Sequence, residues 1–454
     1  MGSGIRGVRR ARGVERVPRS SAGVHHARPQ DQVVRNSFFL MSSTATMAAL
    51  GFLFWVVVAR FYTPAQVGVA TSLISATSLI AYLSLFGLNS TLIRFPAAPG
   101  ARNAQITQAI GLVAVAACAV GSLYLLGLPW YGQKLLFVRD DPLTSVAFVG
   151  ICVFAALNLL TDAVFVGERV PQYNVLVDGF IQGLTKLALP LALLDLGAFG
   201  ILGATGGGYV VAVLASLFFM WRKLGFRFDF RPRRTPLVEQ MGYSAASHVS
   251  SILNLAPIMA IPMVVLQRLG ADAAGYYFIA FQMANLLNSV SYAIGEAVFA
   301  EVSYDESRFG ELLRRSAAVV AAVQAPAAAV MAAGSGLLLQ LFGGSYGVRA
   351  QPLLVVLSLG ALAVALNTWA SFALKLARRM THLIVSNVVY AVVTIGLAVL
   401  WASRGLVWMG WAWDIGNLAS GAYAALALFG GRAATPSTGR LPEPEPVLME
   451  EDHR

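Results

Sequence analysis

The chain of 454 residues is 57% hydrophobic and only 12% charged, and its formal net charge is +11. Apolar runs of about 20 residues, the length that crosses a bilayer, recur along it, which excludes a soluble globular protein and predicts an all-α, polytopic membrane protein. Its two cysteines, Cys118 and Cys152, both fall inside apolar runs, so neither a disulfide framework nor a cysteine metal site is expected.

Residues 1–35 hold eight arginines with Gly, Ser, Pro and the pair His25-His26. Such a segment has little to bury, and it reads as a disordered basic cytoplasmic arm that fixes orientation or touches anionic lipid heads. A cleavable signal is not expected, because the first apolar segment runs on without a small-residue cleavage pattern.

Apolar runs and their breaks then predict spans at residues 34–59, 67–93, 106–128, 142–166, 173–194 and 200–221, followed by 241–267, 274–300, 316–341, 351–374, 382–402 and 406–430. With the N-terminus inside, the cytoplasmic segments carry 26 basic residues and the external ones six, namely Arg60, Lys134, Arg139, Arg268, Arg349 and Arg404. That asymmetry supports twelve spans with both termini cytoplasmic.

The most polar internal connection is RKLGFRFDFRPRRTP, Arg222 to Pro236. It divides the chain into a six-helix lobe at 36–221, a basic cytoplasmic linker at 222–240 and a second six-helix lobe at 241–430, with a disordered cytoplasmic tail at 431–454. ARFYTPAQVG after the first span and QRLGADAAG after the seventh each place an arginine seven or eight residues before a glycine. Halves of six spans share orientation, as in parallel repeats that enclose a pathway.

The external connection PWYGQKLLFVRDD is 13 residues long, and no extramembrane segment is large enough for a catalytic domain. Asp140-Asp141 before Pro142 reads as a turn and helix N-cap. Gly-rich phosphate loops and His/Cys clusters are missing. The chain is therefore expected not to be an enzyme, to hold no metal and to need no cofactor beyond an H+ or Na+ gradient.

Two stretches carry a family resemblance. VVVARFYTPAQVGVATSLISATSLIAYLSLFGLNSTLIRF, Val56 to Phe95, resembles the opening of the polysaccharide flippase family of the multidrug/oligosaccharidyl-lipid/polysaccharide exporter superfamily. LFGGSYGVRAQPLLVVLSLGALAVAL, Leu341 to Leu366, is similar to that family's link between its ninth and tenth helices. The resemblance extends over residues 35–430. It implies two lobes around a central cavity, and a polyprenyl-diphosphate-linked oligosaccharide carried to the outer leaflet of a bacterial plasma membrane. Implied partners are membrane lipid, that lipid-linked glycan, and the polymerase and glycosyltransferases of its pathway; no nucleic-acid partner is expected.

Ionisable groups at membrane depth are costly and by default suggest a pathway. In the fifth span Asn174, Asp178, Gln182 and Lys186 recur every four residues and share a face. Lys186 lies roughly 20 Å from the cytoplasmic end of that span, past the midplane of a ~30 Å core. Its charge either meets the diphosphate or is neutralised by a partner such as Asp178; the separation along the helix requires water or Gln182 between those two.

Asp162, one turn after Asn158, and Asp178 are candidates for binding a coupling ion or accepting bonds from Arg169. His248, Glu296 and Asp414 are further ion-coupling candidates; His248 reads equally as packing, and Asp414 lies within an interfacial tryptophan belt. Substrate-binding candidates are Lys186, Gln182, Asn285 and Arg94, the last matching the family's arginine at the end of the second span and reading equally as a topology residue. A cation-coupled drug antiporter is the alternative reading, and its superfamily relatives often carry an acidic residue in the first span, where this chain has none. A membrane-embedded glycan-processing enzyme is the remaining one.

Overall fold

Within a bilayer each backbone amide and carbonyl must be satisfied inside its own segment, so apolar runs become helices. The computed structural model describes residues 48–95, 97, 100–231, 237–304 and 309–430, with side chains excepted at 237–247, 290, 296–304 and 309. The basic arm, the tail, the start of the first span and the centre of the linker lie outside the described residues.

Among the described residues there are helices and no strands. The first half contains α1 (Ala48–Phe61), α2 (Pro64–Ser84), α3 (Leu88–Arg94), α4 (Arg102–Tyr131), α5 (Leu136–Asp140), α6 (Pro142–Gly167), α7 (Gln172–Ala192) and α8 (Ala198–Leu224). The second contains α9 (Leu237–Leu269), α10 (Ala271–Tyr304), α11 (Phe309–Gln340), α12 (Gly344–Arg349), α13 (Gln351–Leu376), α14 (Met380–Leu400) and α15 (Leu406–Gly430). Among the described residues, nine of these helices are long and apolar enough to cross a membrane.

Local chemistry sets the helix ends. Thr63 and Gln66 form a reciprocal capping box at the start of α2, with Pro64 at the first helical position where its missing N–H costs nothing. Asp141 caps α6 by accepting the Thr144 amide at 3.1 Å. The second span is not continuous as expected: Phe86 (φ 45°) and Gly87 (φ 80°) break it into α2 and α3, because two successive left-handed residues cannot propagate a right-handed helix. The connection after α4, expected to be external, is partly helical, since α4 runs through Pro129 to Tyr131 and α5 follows.

The halves meet where α2 packs on α9 and α10. Gly68 lies against the Ala271 carbonyl and the Gly275 amide, and Gly275 lies against the Pro64 carbonyl, with no room for a Cβ at either position. These two glycines are the ones that follow Arg60 and Arg268 in the sequence echo, so the repeat marks a reciprocal backbone contact of the kind small residues permit between membrane helices. Around it, Trp55 meets Phe278 at 4.4 Å and Ser72 donates to the Pro262 carbonyl at 3.3 Å. Arg60 donates to the Leu341 and Gln340 carbonyls at 2.8 and 3.2 Å, satisfying orphan groups at the end of α11. At the opposite end of the first half, Arg102 pairs with Glu168 at 3.1 Å and donates to the Leu224 carbonyl, tying α4, α6 and α8.

Candidate functional site

The polar face of α7 sits on an irregular backbone. Residues Val175–Gln182 are wound as a π-helix and Gly183–Ala192 as an α-helix. Residues four apart drift by about 40° around a regular α-helix, and the wider π turn counters that drift, so Asp178, Gln182 and Lys186 stay on one line. Pro190 lies two residues before the end of α7 at Ala192, and its carbonyl accepts the Tyr62 hydroxyl at 2.7 Å.

This face packs against α6 and α8 to form one connected cluster. Asn158 Nδ2 lies 3.1 Å from Asp178 Oδ1 and 3.4 Å from Asp162 Oδ2. Gln182 Nε2 donates to Asn158 Oδ1 at 2.9 Å and to Asp178 Oδ1 at 3.2 Å. The Gln182 carbonyl oxygen then accepts from Lys186 Nζ at 2.6 Å. Lys186 Nζ also sits 4.5 Å from the centre of the Tyr209 ring, a cation–π distance.

Gly208 leaves the space that the lysine stem fills, for an added Cβ would lie 2.7 Å from Lys186 Cγ. α8 is unbroken through Gly206-Gly207-Gly208, so the glycines give close packing and not local unwinding. Fully ionised, the cluster holds two carboxylates and one ammonium and is one cation short of neutral. Asp162 Oδ1 is buried without a partner, which leaves an acceptor for that cation. Arg169, on the turn after α6, is exposed and makes no hydrogen bond or ion pair with either carboxylate.

The second half handles polarity differently. Asn367 Nδ2 donates to Asn417 Oδ1 at 3.0 Å, Ser420 donates to Asn367 Oδ1 at 2.9 Å, and the Ser386 and Ser420 hydroxyls meet at 2.8 Å. Asn387 donates to the Ser250 hydroxyl at 2.8 Å. This seam between α13, α14, α15 and α9 is neutral and buried.

Asp414 lies on α15 near this seam but outside its hydrogen bonds. It is 6% exposed, both carboxylate oxygens are buried without a partner, and it packs directly on the Gly360 backbone. The Tyr277 hydroxyl, also unpartnered, belongs to the same neighbourhood. Of the nearby tryptophans, Trp408 and Trp411 are exposed and Trp413 is buried.

The remaining sequence candidates are dispersed. Arg94 is the exposed last residue of α3. Asn285 is half-buried on α10. His248 is buried on α9, where it faces the Tyr82 and Leu83 backbone of α2, and its Nε2 has no partner. The Glu296 side chain lies outside the described residues. Asn158, the hub of the cluster, and Tyr209 were not among the sequence candidates for binding. Asn158 was readable one turn before Asp162, whereas nothing in GGGY marks Tyr209 as a neighbour of Lys186. Among the described residues no three His, Cys, Asp or Glu side chains gather as a metal site.

The family described as polysaccharide biosynthesis protein matches residues 33–299. No curated protein matches the chain. Among solved structures, the lipid II flippase MurJ in an inward closed conformation aligns with a TM-score of 0.69 at 12% identity, over 86% of this chain and 87% of that one. An inward-facing multidrug resistance MATE family transporter of the MOP superfamily aligns at 0.64 and 14% identity, over 84% and 93%. A MOP superfamily transporter from Pyrococcus furiosus, noted for reversed polarity of its binding pocket, aligns at 0.56 and 14% identity, over 88% and 95%. At these identities the likeness establishes the fold.

Proposed function

The chain belongs to the polysaccharide biosynthesis protein family, and from that premise we propose that it flips a polyprenyl-diphosphate-linked oligosaccharide from the cytoplasmic to the outer leaflet of a bacterial plasma membrane. The observation that carries this reading is the family match over residues 33–299, on a chain whose fold is that of MOP-superfamily transporters. The lipid tail stays in the bilayer while the sugars and diphosphate pass between the two six-helix halves, which rock about the α2–α10 contact. No covalent step is required.

In this reading the cluster on α6, α7 and α8 divides the work. Lys186, oriented by Gln182, presents an ammonium at membrane depth, where attraction to phosphate oxygens is much stronger than in water. Asp178 and Asp162, which lie within hydrogen-bond reach of one another and are both contacted by Asn158, take the coupling H+ or Na+ that neutralises the cluster. Ion binding and substrate binding then act on one chain of hydrogen bonds, Asp178 to Gln182 to Lys186. Arg94 and Asn285 serve as entry contacts, and polymerase and glycosyltransferases of the pathway supply and consume the substrate.

Deleting the gene and resolving lipid-linked sugars by leaflet tests the reading. Accumulation on the cytoplasmic leaflet with loss of surface glycan is expected; an unchanged distribution refutes it. A drug antiporter shares the fold, and strong dye efflux from a pump-deficient strain with unaltered surface glycan would replace the flippase reading with that one.

A further inference from the structure

The chain leaves α8 at Gly225, whose φ of +64° ends the helix, and runs without regular structure through Phe230. Phe226 is buried in the apolar cluster that contains Ile106, Val164 and Met220. Three residues later the Asp229 amide donates to Thr107 Oγ1 at 3.1 Å. Thr107 lies five residues into α4 from Arg102, about 7.5 Å along the helix axis. The strip thus doubles back along the wall of the bundle to the level where the apolar run of α4 begins, and does not head directly into water.

At that level Phe228 and Phe230 flank the pinned residue. They are 51% and 84% exposed and stack with centroids 6.0 Å apart and planes at 11°. Arg222, Lys223, Arg227 and Arg231 stand near them in the chain, all exposed, and Trp221 is exposed on the last turn of α8. Aromatic rings held at interfacial depth belong to the boundary of headgroups and acyl chains, and arginines beside them match phosphate geometry. A run of basic residues on this side of the membrane also meets the negative potential of the cytoplasmic leaflet.

We propose that residues 222–231 form a membrane anchor for anionic glycerophospholipids of the adjoining leaflet, with Phe228 and Phe230 entering the acyl boundary and the four cations holding phosphates. The anchor fixes the first half at the point where the connection to the second half departs. Lipid charge then sets how firmly that end of the connection is held.

The test uses the full chain with Phe230→Cys on a Cys118→Ser background, nitroxide-labelled and placed in nanodiscs of phosphatidylcholine alone or mixed equally with phosphatidylglycerol. Accessibility to oxygen and to a water-soluble nickel chelate reports depth. The expected result is a several-fold lower nickel accessibility in the anionic discs, a difference removed by Arg227→Gln with Arg231→Gln. Equal nickel accessibility in both discs overturns the proposal, as does a difference that survives the double arginine substitution. Shielding from oxygen as well as from nickel also overturns it, because a protein segment would then be covering the strip. None of these readouts depends on transport.

Discussion

The two halves bury polar groups among apolar helices in opposite ways. In the first, Asn158, Asp162, Asp178, Gln182 and Lys186 form a chain that holds two carboxylates and one amine and leaves one Asp162 oxygen without a hydrogen bond. In the second, Asn367, Ser386, Asn417 and Ser420 close a neutral seam on one another, while Asp414 stands outside it with neither oxygen bonded. A neutral, satisfied network rigidifies packing, whereas an incompletely satisfied charged one has an energetic reason to take up a ligand. In the proposed reading, substrate and ion handling belong to the cluster of the first half and structural support to the seam of the second.

Substitutions along the two networks should separate these roles. The largest effect belongs to Lys186→Ala, which removes a charge-assisted contact of about 1.5–3 kcal/mol and so should slow flipping about 10- to 100-fold in proteoliposomes while melting in detergent changes little. Next, Asp178→Asn should make transport several-fold less responsive to an imposed H+ or Na+ gradient. Asp414→Asn should leave that response intact, because Asp414 shares no hydrogen bond with the cluster; loss of the response in Asp414→Asn instead would break the comparison.

Asn417→Ala should cost about 1–3 kcal/mol of stability by leaving the Asn367 amide buried without its acceptor, read as a lower detergent melting temperature with an unchanged rate per folded molecule. The smallest effect is that of Gly208→Ala. The added methyl meets the flexible Lys186 stem at 2.7 Å and the Gln182 side chain at 3.3 Å, so the chain should stay folded and flipping should fall only a few-fold through displacement of the ammonium.

Much of this was legible because apolar length and charge bias are written locally. The helix positions, the Asp141 cap and the shared face of Asp178, Gln182 and Lys186 all follow from spacing along one segment, and so does the place of Gln182 between the other two. The Arg-to-Gly echo pointed to Gly68 and Gly275 without revealing that they touch, since contact between distant helices is a property of packing. The break at Phe86-Gly87 escaped the hydropathy reading because Leu83, Leu85 and Phe86 before it and Leu88, Leu92 and Ile93 after it keep the stretch apolar on average. Asn158 as hub, Tyr209 beneath the ammonium and the isolation of Asp414 depend on which helices become neighbours, and no periodicity within a helix encodes that. The π winding of Val175–Gln182 lacks a local signature for the same reason: nothing in VLVDGFIQ distinguishes it from an α-helical run.

The central claim, that the Lys186 charge carries the diphosphate across, is tested most directly by leaflet-resolved flipping of a polyprenyl-diphosphate oligosaccharide in proteoliposomes, comparing Lys186→Arg and Lys186→Ala with the natural chain. The account predicts partial transport for arginine and near-complete loss for alanine, with both variants inserted and folded. Equal transport by the alanine variant would contradict it.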